Sequence, residues 1–412
     1  MDPRTAAVRK LYEKYPYPSG SPKLRVGFDA RFVLAQGRLA RPEPRPLEIL
    51  DAGCGRGIGL LAAAELQPDV RFLGVDLCQR ALEHAHSEAR GRNLENVRFA
   101  EVDLETLDDL EVPPGGFDII HSSGVVHHLV DPQSGLERLG KVLAPHGVIV
   151  FMVYGALGRT AYEQVRHSID VVVPRDVPLE SRLEQGRALV QSLAKNTNAQ
   201  RYHPWIEAAQ LDDVEFVDRY LHVQEKTFTV PTFFDLVEGA GLSFLQWCQP
   251  ERWLAPDHLQ PGPQRERIRN LDERARASFV EQLLLPRALE AYLVHPENGP
   301  RPRLEAKDAT RTTFLVNPEA AFEVVTRPHT SGLSIEAIRV KLDGYTKSLP
   351  PGPLGTAALL LRDETTSFTG QELVDALTQK DVSEKEAGGV LFELVHRRLV
   401  YRPHPIDVPR SP

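Results

Sequence analysis

Between residues 47 and 155 the chain alternates short apolar runs with longer stretches whose apolar residues recur at helical spacing. An uninterrupted apolar run predicts a strand buried on both faces, as in a parallel sheet, and the longer stretches predict helices with one face turned inward. The predicted strands begin near residues 47, 70, 97, 117 and 147, and the predicted helices cover residues 58–66, 78–92 and 131–143. This alternation predicts a doubly wound parallel α/β sheet with right-handed crossovers.

The turn between the first strand and the first helix carries glycine at positions 53, 55 and 57. Gly53 and Gly55 can adopt a positive φ and have no Cβ, so the backbone there can approach a ligand closely. The next two strands end in Asp76 and Asp103, and Asp76 lies about twenty residues past the turn, where a ribose-binding carboxylate belongs in such a fold. The turn alone also fits simple tight packing, but the turn and the acids together predict a ligand site at the carboxyl edge of the sheet.

Taken together, these motifs resemble those of the class I S-adenosylmethionine-dependent methyltransferases. Residues 49–57 match the family pattern of a hydrophobic residue followed by Leu-Asp-x-Gly-x-Gly-x-Gly. Residues 124–129 are similar to its Leu-His-His-Leu segment, and residues 142–150 to its Val-Leu-x-Pro-Gly-Gly turn, with His146 in place of the first glycine. The resemblance covers roughly residues 45–155. It implies a Rossmann-like seven-stranded sheet and an enzyme that uses S-adenosyl-L-methionine and releases S-adenosyl-L-homocysteine.

The resemblance also implies roles for individual residues. Asp76 would hold both ribose hydroxyls, and Asp103 with Leu104 would flank the adenine. The fourth strand and its loop, residues 117–129, would pass under the methionine part of the cofactor. The cofactor-binding residues implied in this way are Asp51, Gly53, Cys54, Gly55, Asp76, Leu77, Asp103, Leu104 and Ser122.

The residues that would assist methyl transfer are harder to identify. Transfer from a sulfonium is an in-line displacement, in which the protein mainly aligns the reactants and excludes water. A general base is needed only when the acceptor carries a proton. The candidates are His127 and His128 after the fourth strand, Tyr154 at the end of the fifth, and Tyr17, whose ring could contact the sulfonium; each could instead be a packing residue. No cluster of His, Cys and carboxylates has metal-ligand spacing, so no metal is predicted.

The N-terminal part, residues 1–45, is predicted to carry a helix over residues 5–14 and an extended arm, Tyr15-Pro16-Tyr17-Pro18. The arm resembles an N-terminal signature of some bacterial methyltransferases, and it is either a lid over the cofactor pocket or a strap on the sheet edge. The methyltransferase domain is predicted to span residues 46–255. A helical insertion at about residues 157–225 would lie over the carboxyl edge of the sheet, where the acceptor is selected.

The remainder of the chain is predicted to form a linker and mixed middle region, residues 256–330, and a winged-helix-like module, residues 331–412. Within these, a charged helix is predicted over residues 265–292, short strands near residues 312–316 and 321–325, and further helices over residues 334–342, 355–362, 369–377 and 383–398. Thr369 and Glu372 form a candidate capping box. The last helix has little basic charge, which favours protein contacts over DNA binding.

The composition limits which binding partners and which cellular compartment are expected. The chain has 412 residues, a formal net charge of −8, 42% hydrophobic and 26% charged residues, as in soluble globular proteins. The negative balance gives no general attraction for nucleic acid, so a nucleic-acid partner is not expected. We expect a cytoplasmic protein without a membrane segment, because no apolar run could span a bilayer and the N-terminus lacks a signal-peptide core. A homodimer is left open.

The leading functional prediction is a methyltransferase for a small-molecule acceptor with an oxygen, nitrogen or sulfur nucleophile, since the His-His-Leu segment is common in small-molecule members of the family. The first alternative is a peptide or protein acceptor that docks on the insertion and the C-terminal module. The second, from another class, is a non-catalytic module that binds S-adenosylmethionine and recognises a partner. An NAD-dependent oxidoreductase is disfavoured, because its fingerprint is Gly-x-Gly-x-x-Gly.

Overall fold

The computed structural model divides the chain into two compact units. It describes residues 2–20, 28–39, 41, 45–194, 197, 203–300, 306–317, 320–329, 332–342, 345–349, 352–362 and 367–403. Unit 1 comprises Met1–Leu24, Pro46–Cys248 and Trp253–Glu297, and unit 2 comprises Arg25–Arg45, Gln249–Arg252 and Asn298–Pro412. The N-terminal segment predicted as one piece, residues 1–45, is therefore divided between the two units.

The helices and strands are numbered in chain order. The described helices are α1 Pro3–Lys14, α2 Ala30–Leu34, α3 Ile58–Leu66, α4 Gln79–Gly91, α5 Pro132–Val142, α6 Ala156–Val172, α7 Leu179–Gln191, α8 His203–Ala208, α9 Asp213–Tyr220, α10 Val230–Gly239, α11 Pro263–Arg269, α12 Glu273–Leu284, α13 Ala306–Ala309, α14 Pro353–Arg362, α15 Gly370–Thr378 and α16 Glu384–His396. The described strands are β1 Leu47–Ala52, β2 Val70–Asp76, β3 Val97–Glu101, β4 Phe117–Ser123, β5 Leu143–Tyr154, β6 Ser243–Trp247, β7 Ala288–Val294, β8 Thr313–Val316, β9 Ala321–His329, β10 Gly332–Leu342, β11 Tyr345–Leu349, β12 Phe368–Thr369 and β13 Val400–Tyr401.

Unit 1 is built on a seven-stranded sheet with the order β3-β2-β1-β4-β5-β7-β6. Strands β1 to β5 pair in parallel, and β7 runs antiparallel to both of its neighbours, β5 and β6. The apolar runs are buried as the sequence predicted, with Leu50 and Ile120 fully inaccessible to solvent. This architecture confirms the predicted doubly wound, Rossmann-like methyltransferase sheet.

The place of β7 corrects two sequence-based predictions. Residues 288–292 were assigned to a charged helix and residues 288–294 to the middle region, whereas residues 288–294 form a strand in the interior of the main sheet. The helical pattern ends at Leu285, which has a φ of +44°, and Pro286 follows, where a helix cannot continue. The methyltransferase sheet therefore extends past the boundary predicted at residue 255.

Helices α6 to α9 form the predicted insertion and have an apolar core of their own. Leu11 of α1 is buried in this core together with Ile169, Phe216 and Tyr220. The N-terminal helix therefore packs on the insertion within unit 1. Among the residues described here, no helix combines the length and the apolar character needed to cross a bilayer.

Unit 2 contains two small antiparallel sheets, with the orders β11-β10-β9 and β12-β8-β13, around a core that includes Phe314, Leu377 and Leu391. Residues 334–342 were predicted to be helical but belong to β10. The strand was missed because a register shift between Ile335 and Ala337 interrupts the alternation of apolar and polar residues. The capping box of Thr369 and Glu372 is present at the start of α15. The winged-helix-like character of this unit stays a prediction.

A buried acid, Asp118 in β4, ties together the amino ends of three strands of the main sheet. Its Oδ1 accepts a hydrogen bond from Nε2 of His146 at 2.6 Å, and its Oδ2 accepts one from the backbone N–H of Glu48 at 2.8 Å. Asp118 is fully inaccessible to solvent. His146, which replaces a glycine of the family pattern, therefore has a structural partner across the sheet.

Replacing Asp118 with alanine is expected to lower the free energy of unfolding of unit 1 by about 3 kcal/mol, because two buried donors lose their acceptor. Urea unfolding followed by tryptophan fluorescence measures this change, since Trp205, Trp247 and Trp253 all lie in unit 1. Asp108→Ala, at an exposed position, is the control. A midpoint for Asp118→Ala equal to that of the control would contradict the structural role.

Candidate active site

The glycine turn after β1 has the backbone conformation that its sequence predicted. Gly53, Gly55 and Gly57 have φ angles of +83°, +53° and +67°, in the left-handed region that favours glycine. A Cβ at Gly55 would lie 2.5 Å from the backbone oxygen of Tyr17, and one at Gly53 would collide with the side chain of Val125. All three positions therefore have a conformation that favours glycine, and at Gly53 and Gly55 a side chain would also clash with its neighbours.

Asp76, at the end of β2, is held against this turn. Its Oδ2 accepts a hydrogen bond from the N–H of Gly55 at 2.7 Å, and its Oδ1 accepts one from the N–H of Cys78 at 2.9 Å. Burial raises the pKa of the carboxyl group, and the two backbone hydrogen bonds oppose that rise. Each carboxylate oxygen can accept more than one hydrogen bond, so both can still receive a ribose hydroxyl.

The other predicted cofactor residues lie at the carboxyl ends of adjacent strands, as expected. Asp51 lies near the carboxyl end of β1, and its Oδ1 is 3.4 Å from Nδ1 of His121. Asp103 follows β3 and accepts a hydrogen bond from the N–H of Glu105 at 2.9 Å. The remaining members of this set are the buried Leu104, Cys54 and Ser122 and the half-buried Leu77. The hydroxyl of Ser122 is buried and has no hydrogen-bond partner within the described part of the chain, which leaves it free for a ligand.

Helix α1 and the N-terminal arm contact this edge of the sheet at several points. The backbone oxygen of Pro18 accepts a hydrogen bond from the guanidinium of Arg56 at 3.3 Å, next to the glycine turn. In α1, the carboxylate of Glu13 accepts from the N–H of Gln79 at 2.9 Å, and Arg9 pairs with Glu101 at 2.6 Å. Tyr17 is half-buried and brings its carbonyl to Gly55. The arm thus packs on the predicted cofactor site.

A group of rings, which we call the ring cluster, lies after β4 and β5. It consists of Tyr12, His127, His128, Tyr154 and His222. The ring centroids of His127 and Tyr154 are 4.0 Å apart, and those of His128 and His222 are 3.9 Å apart in a stacked arrangement. The three histidines are 0%, 8% and 4% exposed in sequence order. The structure therefore brings three of the four predicted catalytic side chains into one group, in which the histidines are buried and Tyr154 is half-buried.

The side chains of the ring cluster differ in what chemistry they can perform. Burial raises the pKa of Tyr154 well above its ordinary value, so its hydroxyl stays protonated and cannot act as a base near neutral pH. The guanidinium of Arg159 lies 3.7 Å from the centre of that ring and is paired with Glu225 at 3.0 Å. Tyr154 is therefore better suited to bordering the site than to taking up a proton. Both ring nitrogens of His127 are buried, with no hydrogen-bond partner among the described residues.

Gln224 holds the two stacked histidines through its main chain. Its carbonyl oxygen accepts a hydrogen bond from Nδ1 of His128 at 2.8 Å, and its N–H donates to Nδ1 of His222 at 3.1 Å. Its side-chain amide also donates to the carbonyl oxygen of His128 at 2.7 Å. Burial lowers the pKa of His128 to about 4 and lowers that of His222 well below its ordinary value. Both imidazoles are therefore neutral at pH 7.

Asp218 and His222 also belong to this group, although neither was among the catalytic residues predicted from the sequence. Asp218 is buried on α9, accepts a hydrogen bond from the hydroxyl of Tyr12 at 2.8 Å, and has its pKa raised by burial to about 7. An acid on the apolar face of an amphipathic helix, beside Phe216 and Val217, was the signal that could have identified it. His222 is a lone histidine in the sequence, and only the fold places it beside His128.

His128, Asp218 and His222 together have the ligand types of a metal site, although the sequence predicted none. One candidate ligand atom from each lies within 4.8 Å of the others. The hydrogen bond that His222 accepts at Nδ1, however, places its proton on Nε2, which then has no lone pair for a cation. As these hydrogen bonds stand, His128 and Asp218 alone offer free lone pairs, so the group suits hydrogen bonding better than metal binding.

Comparison with known proteins agrees with the fold and the glycine turn. A family model described as a methyltransferase domain matches residues 45–210. The uncharacterized protein syc1184_c of Synechococcus sp. is 31% identical over 299 residues, which cover 68% of this chain and 69% of that protein. The ubiquinone biosynthesis O-methyltransferase of Paracidovorax citrulli is 29% identical over 128 residues, 31% of this chain and 48% of that enzyme, so the match spans about half of its length.

A solved structure shows the same fold over nearly the whole chain. The structure of PKMT2 from Rickettsia typhi in complex with AdoHcy has a TM-score of 0.70 with 16% sequence identity, and covers 95% of this chain and 78% of that one. The sheet order and the glycine turn define a Rossmann-like methyltransferase. The chain belongs to the class I S-adenosylmethionine-dependent methyltransferases, and its methyl donor is S-adenosylmethionine.

Proposed function

We propose that this enzyme methylates a small-molecule acceptor, whose reacting atom would lie beside the ring cluster. The observation that supports this is the burial of His127, His128 and His222, with the ring of Tyr12 from α1 in contact with that of His222. Buried reacting groups are reached more readily by a small ligand than by a folded surface. The predicted catalytic residues of the sheet and the residues of the insertion would then border the same compartment.

The residues at the edge of the sheet fit the cofactor. S-adenosylmethionine supplies a methyl group activated by the positive charge on its sulfur. Asp76 would hold the ribose hydroxyls, Asp103 and Leu104 would flank the adenine, and the glycine turn leaves room for close backbone approach. Ser122, whose buried hydroxyl has no partner in the described residues, would contact the methionine part. The N-terminal arm would exclude water from the reacting atoms, which favours displacement over side reactions.

A peptide or protein acceptor remains the second candidate. Unit 2 has its own apolar core and contributes none of the predicted cofactor residues, so it is available for docking a macromolecule. In that case a single side chain of the acceptor would have to reach the ring cluster.

Incubating the enzyme with radiolabelled S-adenosylmethionine and a cell extract distinguishes the two acceptors. After separation by size, we expect the label in the small-molecule fraction, and Asp76→Ala, impaired in cofactor binding, should give almost none. Label found only in the macromolecular fraction would overturn the small-molecule proposal and favour the second candidate.

A further inference from the structure

The two stacked histidines of the ring cluster are fixed in opposite tautomers by one residue. A carbonyl oxygen can only accept, so the hydrogen bond to Gln224 places the proton of neutral His128 on Nδ1 and leaves a lone pair on Nε2. A backbone N–H can only donate, so His222 accepts at Nδ1 and carries its proton on Nε2. That Nε2–H is buried and has no partner in the part of the chain that the structure describes. The pair thus presents one acceptor and one donor.

The two rings are stacked with their centroids 3.9 Å apart, so a ligand beside the stack can meet a nitrogen of each ring. One ring nitrogen from each histidine and one oxygen of Asp218 lie within 4.8 Å of one another. Two hydrogen bonds of about 2.8 Å each can reach across such a separation from a single atom between them. The carboxylate of Glu225 does not require a cationic ligand, because it is already paired with Arg159.

We propose that the methyl acceptor is a hydroxyl, whose proton is taken by Nε2 of His128 while its oxygen accepts a hydrogen bond from Nε2–H of His222. This inference rests on the proposed function and names the nucleophilic atom of its substrate. Asp218 would receive a second polar group of the same acceptor.

Oxygen fits this pair better than nitrogen or sulfur because of its lone pairs. A hydroxyl oxygen has two, so one can attack the methyl group while the other accepts from His222. The single lone pair of a neutral amine is consumed by the attack, which leaves the buried donor of His222 unsatisfied. A thiolate needs no base, and sulfur is a weak acceptor.

The step balances in atoms and charge. The O–H bond breaks and its proton moves to Nε2 of His128, while the oxygen forms a bond to the methyl carbon. The bond between that carbon and the sulfonium breaks, and its electron pair stays on sulfur, giving a neutral thioether. The positive charge passes from sulfur to the imidazolium of His128, which returns the proton to water as the methylated product leaves.

The bond formed can be observed directly. The enzyme is incubated with S-adenosylmethionine carrying a ¹³C methyl group and a cell extract, and the product is examined by heteronuclear NMR, in which methyl carbons on oxygen, nitrogen and sulfur have distinct shifts. We expect a methyl group on oxygen. A methyl group on nitrogen or sulfur would overturn the inference. The fraction that holds the label reports separately on the proposed function.

Two variants test the roles of the rings. We expect His128→Asn and His222→Phe each to lower kcat at least a hundredfold, as is typical for loss of a general base or of a donor to the reacting oxygen. Binding of S-adenosylhomocysteine, measured by calorimetry, should stay within twofold of wild type and shows that each variant is folded. His84→Asn, at an exposed position on α4, is the matched control. A kcat within fivefold of wild type in either variant would contradict the assigned pair.

A metal-dependent role for the same residues predicts a different result. We expect activity to persist after treatment with a chelator. Loss of activity that is restored by adding a divalent cation would show that the histidines act as ligands and would overturn the inference.

Discussion

Asp76→Ala is expected to weaken the binding of S-adenosylhomocysteine by about a hundredfold. The substitution removes a charged, bidentate contact to the ribose, worth about 2 kcal/mol. It also removes the acceptor for the N–H groups of Gly55 and Cys78, and a looser glycine turn should cost about 1 kcal/mol more. About 3 kcal/mol corresponds to roughly a hundredfold in the dissociation constant.

Isothermal titration calorimetry of the wild type and the variant measures this change. Asp109→Ala, an exposed acid after β3, is the control for removing one negative charge from the same region. If the affinity of Asp76→Ala stays within twofold of wild type, Asp76 does not bind the ribose.

Removal of residues 2–20 is expected to lower kcat by about a hundredfold, because α1 and the arm together contact both sides of the site and would keep water from the reacting atoms. Pro18 is hydrogen-bonded to Arg56 beside the glycine turn, and Tyr12 is hydrogen-bonded to Asp218 beside the histidines. The truncated enzyme should still bind the adenosine part of the cofactor, since none of the residues predicted to hold it is lost.

Tyr12→Phe is the milder companion of this truncation. It keeps α1 and removes only the hydrogen bond to Asp218, worth about 1 kcal/mol, so a severalfold loss of kcat is expected. For the enzyme that lacks residues 2–20, unfolding followed by tryptophan fluorescence checks that the loss of Leu11 from the insertion core has not unfolded unit 1. Full turnover by a folded truncated enzyme would make the arm a strap on the sheet edge.

The parts of the fold that the sequence predicted correctly depend on local signals. The glycine turn and the acids at the ends of β2 and β3 are each specified by a few adjacent residues, and so is the burial of β1. Strand β7 was missed because it follows a charged helix after a short break at Pro286, and its partners β5 and β6 lie far away in sequence. Strand β10 was missed because its bulge disturbs the two-residue period.

The candidate site shows the same limit. His127 and His128 were identified because they lie in a segment that resembles a family motif, but Asp218 and His222 come from a separate segment, some ninety residues further along the chain. Gln224 sets the tautomers of the histidines through its main-chain N–H and carbonyl, a pair of groups that every residue other than proline possesses. The side-chain types in the sequence therefore could not predict this role of Gln224.

The crystal structure of this enzyme with S-adenosylhomocysteine bound tests the central claim most directly. We predict that the ribose hydroxyls lie within hydrogen-bonding distance of the Asp76 carboxylate, with the adenine beside Leu104 and the sulfur facing the ring cluster. A nucleoside bound elsewhere, with the glycine turn making no contact to it, would contradict the account.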